Sequence, residues 1–383
     1  MTGPGRFATL PLHLGGFIGP FGGAVLAVLM PELRDAFGAT TAQIALAVPA
    51  YLVPFALLQV VSGTLGERLG RRRTVQAAYL AYALASVATA LAPTIGIFLV
   101  GRAAQGVANA FTTPLVMAAL ADAVPRERLG RAIGTFAGVQ AAGVSFAPLL
   151  GGLLAAVNWR LAFFAPAVVS LGLMLVPPND AVAVGGATPS LRALLNRRMA
   201  RLTLAACAGY LGFTGLPFLV SLRIDDAFAL ASSPRGLILA AYGAAGFVLG
   251  NAAGRLVERI GARRGAVIGS VIGAAFVALL GIASSPVVLA LVWTAGGAAS
   301  ALLWAGLNTI AVESSDTNRA GVVSAYQASK FVGAAAAPVA WLPLYHASVP
   351  LVFACAAAVT LAVIPFTPHD RSEGELAVRP ADV

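Results

Sequence analysis

Gly63-Thr64-Leu65-Gly66-Glu67-Arg68-Leu69-Gly70-Arg71-Arg72-Arg73 lies between two long apolar runs, and Gly254-Arg255-Leu256-Val257-Glu258-Arg259-Ile260-Gly261-Ala262-Arg263-Arg264 lies between two others. Glu258 follows Glu67 by 191 residues, half of a 383-residue chain. A basic, glycine-punctuated stretch recurring at one place in two apolar halves points to internal duplication inside a membrane.

Composition supports that reading. Hydrophobic residues make up 59% of the chain and charged ones 10%, and the mean hydropathy is +0.86. A soluble domain carries roughly 25% charged residues, so too few polar side chains are present to cover a water-facing surface, and lipid must be the main solvent. The net charge of +10 would suggest nucleic acid in a soluble protein. Here the arginines cluster in short connections between apolar runs, so no nucleic-acid partner is expected. Cys207 and Cys355 both lie inside apolar runs and read as small buried hydrophobes; no metal site is expected. The N-terminal MTGPGR holds one basic residue and no cleavage site, so the first span is expected to be retained.

Spans of about 20 mostly apolar residues are expected near 10–30, 41–62, 74–92, 95–118, 131–156 and 160–176, then 202–222, 235–254, 265–283, 286–311, 320–344 and 348–366. The fold class is therefore an all-α membrane protein with twelve transmembrane helices in two pseudo-symmetric six-helix bundles. Residues 1–176 form the first bundle, 177–200 a central loop, 201–368 the second bundle, and 369–383 a polar tail expected to be disordered. One set of connections holds Arg68, Arg71, Arg72, Arg73, Arg126, Arg128, Arg131, Arg192, Arg197, Arg198, Arg201, Arg255, Arg259, Arg263, Arg264 and Arg319. The opposite set holds only Arg34, Arg160, Arg223 and Arg235. The arginine-rich side is expected to be cytoplasmic, with both termini inside.

Four pieces of the chain resemble the major facilitator superfamily, and within it the twelve-helix drug:proton antiporter branch; the likeness covers nearly the whole sequence. The first is the loop expected after helix two, similar to G-x-L-x-D-R-x-G-R-R/K through Gly63, Leu65, Arg68, Gly70, Arg71 and Arg72, with Glu67 where Asp is usual. Gly63 and Gly70 would permit a tight turn and close helix approach. An acid beside arginines suits a charge network that closes one gate and breaks in the other state. Gly254, Glu258, Arg259 and Gly261 repeat the pattern. The second piece, Arg102-Ala103-Ala104-Gln105-Gly106, is similar to R-x-x-Q-G in helix four. Arg102 sits about eight residues into that helix, roughly 12 Å deep, where a cation needs a wet cavity or a partner. The resemblance implies that it tunes proton transfer or binds an anionic group; snorkelling to the interface is the plain alternative.

The third piece is Gly134, Gly138 and Gly143 followed by Ala147-Pro148-Leu149-Leu150-Gly151-Gly152 in helix five, similar to the antiporter pattern G-x8-G-x3-G-P-x2-G-G with Ala147 replacing one glycine. Small residues let helices meet backbone to backbone, and proline kinks them. The second half echoes it through Gly333, Ala337 and Pro338 at an offset of 190. The fourth is Asn158-Trp159-Arg160-Leu161-Ala162-Phe163-Phe164, similar to W-R-x-x-F and suited to an interfacial anchor.

Coupling is less legible. None of the fifteen acidic residues falls mid-span, whereas relatives in this branch often carry a proton-taking acid in helix one or four. The nearest carboxylates are Asp122, Glu32 and Asp35. His13, near one end of helix one, titrates in the right range, although a lone interfacial histidine is more often structural. Lys330 is the only lysine and falls near mid-depth of helix eleven, on one face with Tyr326 and Gln327. Either it binds an anionic or carbonyl-bearing solute and carries the exchanged charge, or it is a fixed cation satisfied by carbonyl groups. The resemblance places a substrate cavity at mid-depth, lined by helices one, four, seven and ten. Phe17, Phe21, Gln105, Asn109, Tyr210, Phe213, Trp304 and Asn308 are the lining candidates, with Tyr51, Gln140 and Tyr326 beside them. An aromatic, mostly uncharged wall suits an amphipathic organic solute.

No G-x-x-x-x-G-K-[ST], H-E-x-x-H or G-x-S-x-G motif is present, so neither an ATP-driven pump nor an enzyme is expected. The expectation is a secondary transporter of the plasma membrane, acting as a monomer. It exports small amphipathic compounds by alternating access, with the proton gradient as its driving force and no cofactor. The alternatives are uptake or export of a native metabolite, and a non-transporting receptor on the same fold.

Overall fold

The computed structural model describes residues 10–124, 126–178, 196–314 and 319–368. Among them the chain is helical and holds no strand. Twelve apolar spans follow in order. The first is α1 (Leu10–Ala24) with α2 (Leu26–Phe37), and the second α3 (Thr41–Ala45) with α4 (Ala47–Leu69). Next come α5 (Arg71–Ala90), α6 (Ile95–Ala123), α7 (Arg126–Ala155) and α8 (Leu161–Met174). The seventh span is α9 (Arg197–Gly209), a π-helical turn at Tyr210–Thr214 and α10 (Pro217–Phe228). The remainder are α11 (Ser232–Ile260), α12 (Ala262–Ile282), α13 (Pro286–Glu313), α14 (Arg319–Ala347), and α15 (Val349–Leu361) with α16 (Val363–Phe366). Seven described stretches are by themselves long and apolar enough to cross a bilayer, and α1 with α2, bent by 48°, passes as a pair. That bend falls after Gly22 and Gly23 and between Pro20 and Pro31, residues that weaken or remove helical hydrogen bonds.

Side-chain burial is inverted relative to a soluble protein. Leu84, Val100 and Val248 expose 62%, 70% and 73% of their surface, whereas Arg102, Arg235 and Lys330 expose 0%, 1% and 8%. Apolar side chains on the outside and cations on the inside are stable only where the outer solvent is hydrocarbon.

The glycine-punctuated stretch is not the loop expected from its sequence. Residues 63–69 form the last two turns of α4, and Gly70 alone separates α4 from α5. Its φ of +94° is backbone that a side chain resists. Gly261 separates α11 from α12 at the same φ of +94°. The duplication extends to packing. A Cβ on Gly143 of α7 would meet the Phe17 carbonyl of α1 at 2.7 Å, and one on Gly333 of α14 would meet the Cys207 carbonyl of α9 at 2.3 Å. Both pairs are related by the same offset of 190 residues.

By internal packing the described helices fall into two compact units. One comprises Met1–Gly186 with Pro217–Ala244, the other Ala187–Leu216 with Ala245–Val383. This division differs from the expected one in that residues 217–244 group with the first unit. In the first unit α10 packs on α2. Gly236 of α11 also abuts Pro148 of α7, where an added Cβ would lie 2.3 Å from the Pro148 carbonyl. In the second unit α12 packs on α13 and α15, and α14 on α9. Most of the expected central loop and all of the tail, residues 179–195 and 369–383, lie outside the described residues.

Candidate functional site

Where α4 gives way to α5, Arg71 is 6% exposed although it begins a helix. Its Nε and Nη2 sit 2.7 and 2.6 Å from Glu67 Oε1, and its Nη1 donates to Asp122 Oδ2 at 2.6 Å. One guanidinium thus ties together the ends of α4, α5 and α6. The two carboxylates offset the cost of burying this charge. Asp122, expected as a coupling acid, is placed here as the second anchor of this triad. Leu65, Arg68 and Arg72 are exposed. Gly63 has ordinary room, with Pro114 3.5 Å from an added Cβ; the close approach belongs to Gly66, whose Cβ would meet Leu115 at 2.5 Å. The second copy lacks the central cation. Ala262 stands where Arg71 does in the first, and Glu258 forms no ion pair among the described residues. Arg259 is exposed, and an added Cβ on Gly254 would meet open space.

Deeper in the first unit, Arg102 does not reach an interface. Its Nη1 donates to Gln105 Oε1 at 2.8 Å, its Nε lies 3.4 Å from the Ala47 carbonyl, and the Tyr51 ring lies 4.4 Å beneath the guanidinium carbon. Nη2 is buried without a partner. Gln105 in turn donates to Ser86 Oγ at 2.7 Å, and Tyr51 donates its hydroxyl to the Gly19 carbonyl at 2.9 Å. Asn109 packs on Gly19, and its side-chain oxygen accepts from Thr112.

Several expected lining residues are therefore packed rather than open. Phe21, Tyr51, Gln105, Asn109 and Phe213 expose 4%, 1%, 1%, 3% and 0%. The cause is glycine opposite them. Gly19 admits Asn109, Gly106 lies against the Tyr51 carbonyl, and Gly273 admits the Phe213 ring. Phe17 stacks on Phe21 at 5.6 Å and is half-buried, as are His13 and Gln140.

The helix-five pattern works at backbone level. Beyond Gly143, a Cβ on Gly151 would strike Val25 at 2.6 Å, and one on Gly152 the Ser232 carbonyl at 2.4 Å. Pro148 is buried beside Gly236. Gly138 has open space around its Cβ position. Gly134 is helical, but its surroundings lie outside the described residues. Trp159 is no interfacial anchor. It is 7% exposed, packs among Phe37, Phe98 and Phe163, and carries the Arg160 guanidinium 4.6 Å above its ring.

A second charge cluster, not expected from the sequence, joins α2, α10 and α11. Arg235 of α11 is paired with Glu32 of α2 through Nη2 and with Asp225 of α10 through Nη1 at 2.9 Å. It also reaches the Val28 and Leu230 carbonyls at 3.3 and 3.4 Å. Arg34 adds a contact to Asp225 at 3.5 Å. The second carboxylate oxygen of Glu32 is buried without a hydrogen bond. The available signal was a lone arginine one turn into a span on the arginine-poor side.

In the second unit, Lys330 and Tyr326 of α14 face Trp304 and Asn308 of α13. Lys330 Nζ lies 4.7 Å from the Trp304 ring centre and 4.2 Å from that of Tyr326, and donates to Asn308 Oδ1 at 3.1 Å. Tyr326 donates to the same oxygen at 2.9 Å. Tyr210 lies 4.9 Å from Trp304, whose indole N–H donates to Thr214 Oγ1 at 2.9 Å. Gln327 is exposed.

A model of the Major Facilitator Superfamily matches residues 12–222 and again 202–379. The chain is 29% identical over 152 residues to the tetracenomycin C resistance and export protein of Streptomyces glaucescens, covering 39% of this chain and 28% of that protein. It is 31% identical over 141 residues to the multidrug resistance protein B homolog of Mycobacterium tuberculosis, covering 37% and 26%. The matched stretches thus span less than a third of the length of either curated relative. Among solved structures, a bacterial homolog of the human lysosomal transporter Spinster, inward-facing and unoccupied, superposes with a TM-score of 0.74 at 17% identity over 95% of both chains. A D-xylose-proton symporter gives 0.74 at 15% identity over 94% of this chain and 98% of its own. These two likenesses establish the fold. With twelve spans, a two-fold internal repeat and a family match over nearly its whole length, the chain belongs to the major facilitator superfamily of multi-pass membrane transporters and is not an enzyme.

Proposed function

We propose that the protein exports small amphipathic organic compounds in exchange for protons by alternating access, in the plasma membrane with both termini cytoplasmic. The observation carrying export is the helix-five packing. Gly143 and Gly152 bring α7 within backbone distance of α1 and α11, Gly151 seats the Val25 and Val28 side chains, and this glycine–proline pattern resembles the antiporter branch. The relatives named for drug resistance and export support the same direction. Two arginine-centred clusters supply the switching elements. In this reading, Arg71 with Glu67 and Asp122 and Arg235 with Glu32 and Asp225, both formed in the conformation described, are two locks, and each change of state breaks one of them. Such pairs store the few kcal/mol that a two-state equilibrium needs.

Glu32 is the acid we assign to the proton. One of its oxygens meets Arg235 and the other is buried and unpartnered, so a proton there neutralises the carboxylate and releases the arginine. Asp225, Arg34 and Asp35 are the other charges around it. The test is flux in proteoliposomes across an imposed pH gradient, with a panel of fluorescent organic cations, anions and neutral compounds. Gradient-driven accumulation that collapses with a protonophore, and is lost in Glu32→Gln, supports the reading. Flux indifferent to the gradient removes proton coupling, and binding without flux favours a receptor.

A further inference from the structure

Lys330 has no task in that cycle, and its surroundings are built. It is 8% exposed and forms no ion pair among the described residues. An ammonium has three N–H donors, and among the described residues one is used, on Asn308. Two ring faces share the remaining charge. No Asp or Glu occurs in residues 259–312 or 317–369, so α12, α14, α15 and α16 contain no counter-ion and α13 has only Glu313 at its last position. A buried cation without an anion is costly, and a ligand that brings the negative charge recovers that cost.

The aromatic part of the cluster is also held in place. The π-helical turn places Thr214 to accept the Trp304 indole N–H, which fixes that ring; π-turns of this kind interrupt helices most often at functional sites. Tyr210 lies beside the indole, both are half-buried, and Asn308, the residue that holds the ammonium, is exposed. A flat apolar body can therefore lie against Trp304 and Tyr210 while its charged end reaches Lys330.

We propose that Lys330, Asn308, Tyr326, Trp304 and Tyr210 form a recognition site for organic anions with an aromatic body, such as aromatic carboxylates. This rests on the transporter reading above and narrows its substrate class. The test is equilibrium binding to the full chain in lipid nanodiscs, read by quenching of tryptophan fluorescence. The probes are 2-naphthoate and its neutral isostere 2-naphthamide. The expected result is at least about tenfold tighter binding of the carboxylate, about 1.4 kcal/mol. That preference falls to near unity in Lys330→Gln and is kept in Lys330→Arg, while Trp304→Phe removes most of the quenching. Equal affinity of the wild type for the two probes overturns the proposal even if no variant folds. So does absence of saturable naphthoate binding up to about 10 mM. Retention of the preference in a folded Lys330→Gln protein does the same. Proton-driven flux of cations or neutral compounds without this anion preference removes the site and leaves the export reading standing; anion binding without flux does the reverse.

Discussion

Replacing Arg235 with alanine should loosen one end of the first unit by about 3 kcal/mol. Removing one partner of a buried ion pair costs about 3–5 kcal/mol, because the other charge is left behind uncompensated. Arg235 is 2% exposed in its side chain and leaves two carboxylates, Glu32 and Asp225, each 22% exposed. That residual exposure lets water reach the carboxylates, so the lower end of the range applies. The Val28 and Leu230 carbonyls also lose a donor, which water can replace once the cluster opens. About 3 kcal/mol is about a 150-fold change in an equilibrium constant, enough to move a state from dominant to minor. Hydrogen exchange in nanodiscs reads the change directly. Backbone amides in Leu26–Phe37 and Pro217–Phe228 should lose protection by about two orders of magnitude if opening is local. Those in Ala262–Ile282, within the other unit, should be unaffected. Glu32→Gln keeps an acceptor for Arg235 and should show a smaller effect of the same sign. The double variant should fall short of the sum, since the residues touch. Protection within about threefold of wild type in both segments would refute the assignment of this cluster as a lock, whatever the variant does to transport.

Three further outcomes follow from the geometry. Arg71→Ala and Glu67→Gln should slow transport while leaving membrane insertion intact. Glu67 and Asp122 are 35% and 61% exposed, so the loss is about 1 kcal/mol, and wild-type flux in both variants would remove the gate. Gly236→Val should lower thermal stability by about 1–3 kcal/mol, because its Cβ meets the Pro148 carbonyl, which is backbone and cannot swing aside; an unchanged melting temperature would show that α7 and α11 are not held this close. Gly70→Ala and Gly261→Ala should carry similar strain, about 1–3 kcal/mol each, because both glycines sit at φ +94°. A loss in one and none in the other, by thermal denaturation, would contradict the shared turn.

The sequence by itself determined the solvent, the span count and the repeat. Hydropathy over twelve runs is a local property, and the recurrence of Gly63 to Arg73 as Gly254 to Arg264 needs no knowledge of packing. It also singled out Arg71, Arg102 and Lys330, since a cation in or beside an apolar run is conspicuous wherever the run folds. Tertiary structure alone decided what each cation meets. By sequence Asp122 is one of several carboxylates named for coupling, and only the fold sets it against Arg71, 51 residues away. Arg235 looked like a topology signal until it was found beside Glu32, 203 residues away. The difference is physical. Partition into lipid depends on a segment's own side chains, whereas a charge's partner depends on which helices pack. That packing is set by where small residues such as Gly143, Gly152 and Gly236 let backbones touch, a matter of three-dimensional fit that no single stretch encodes.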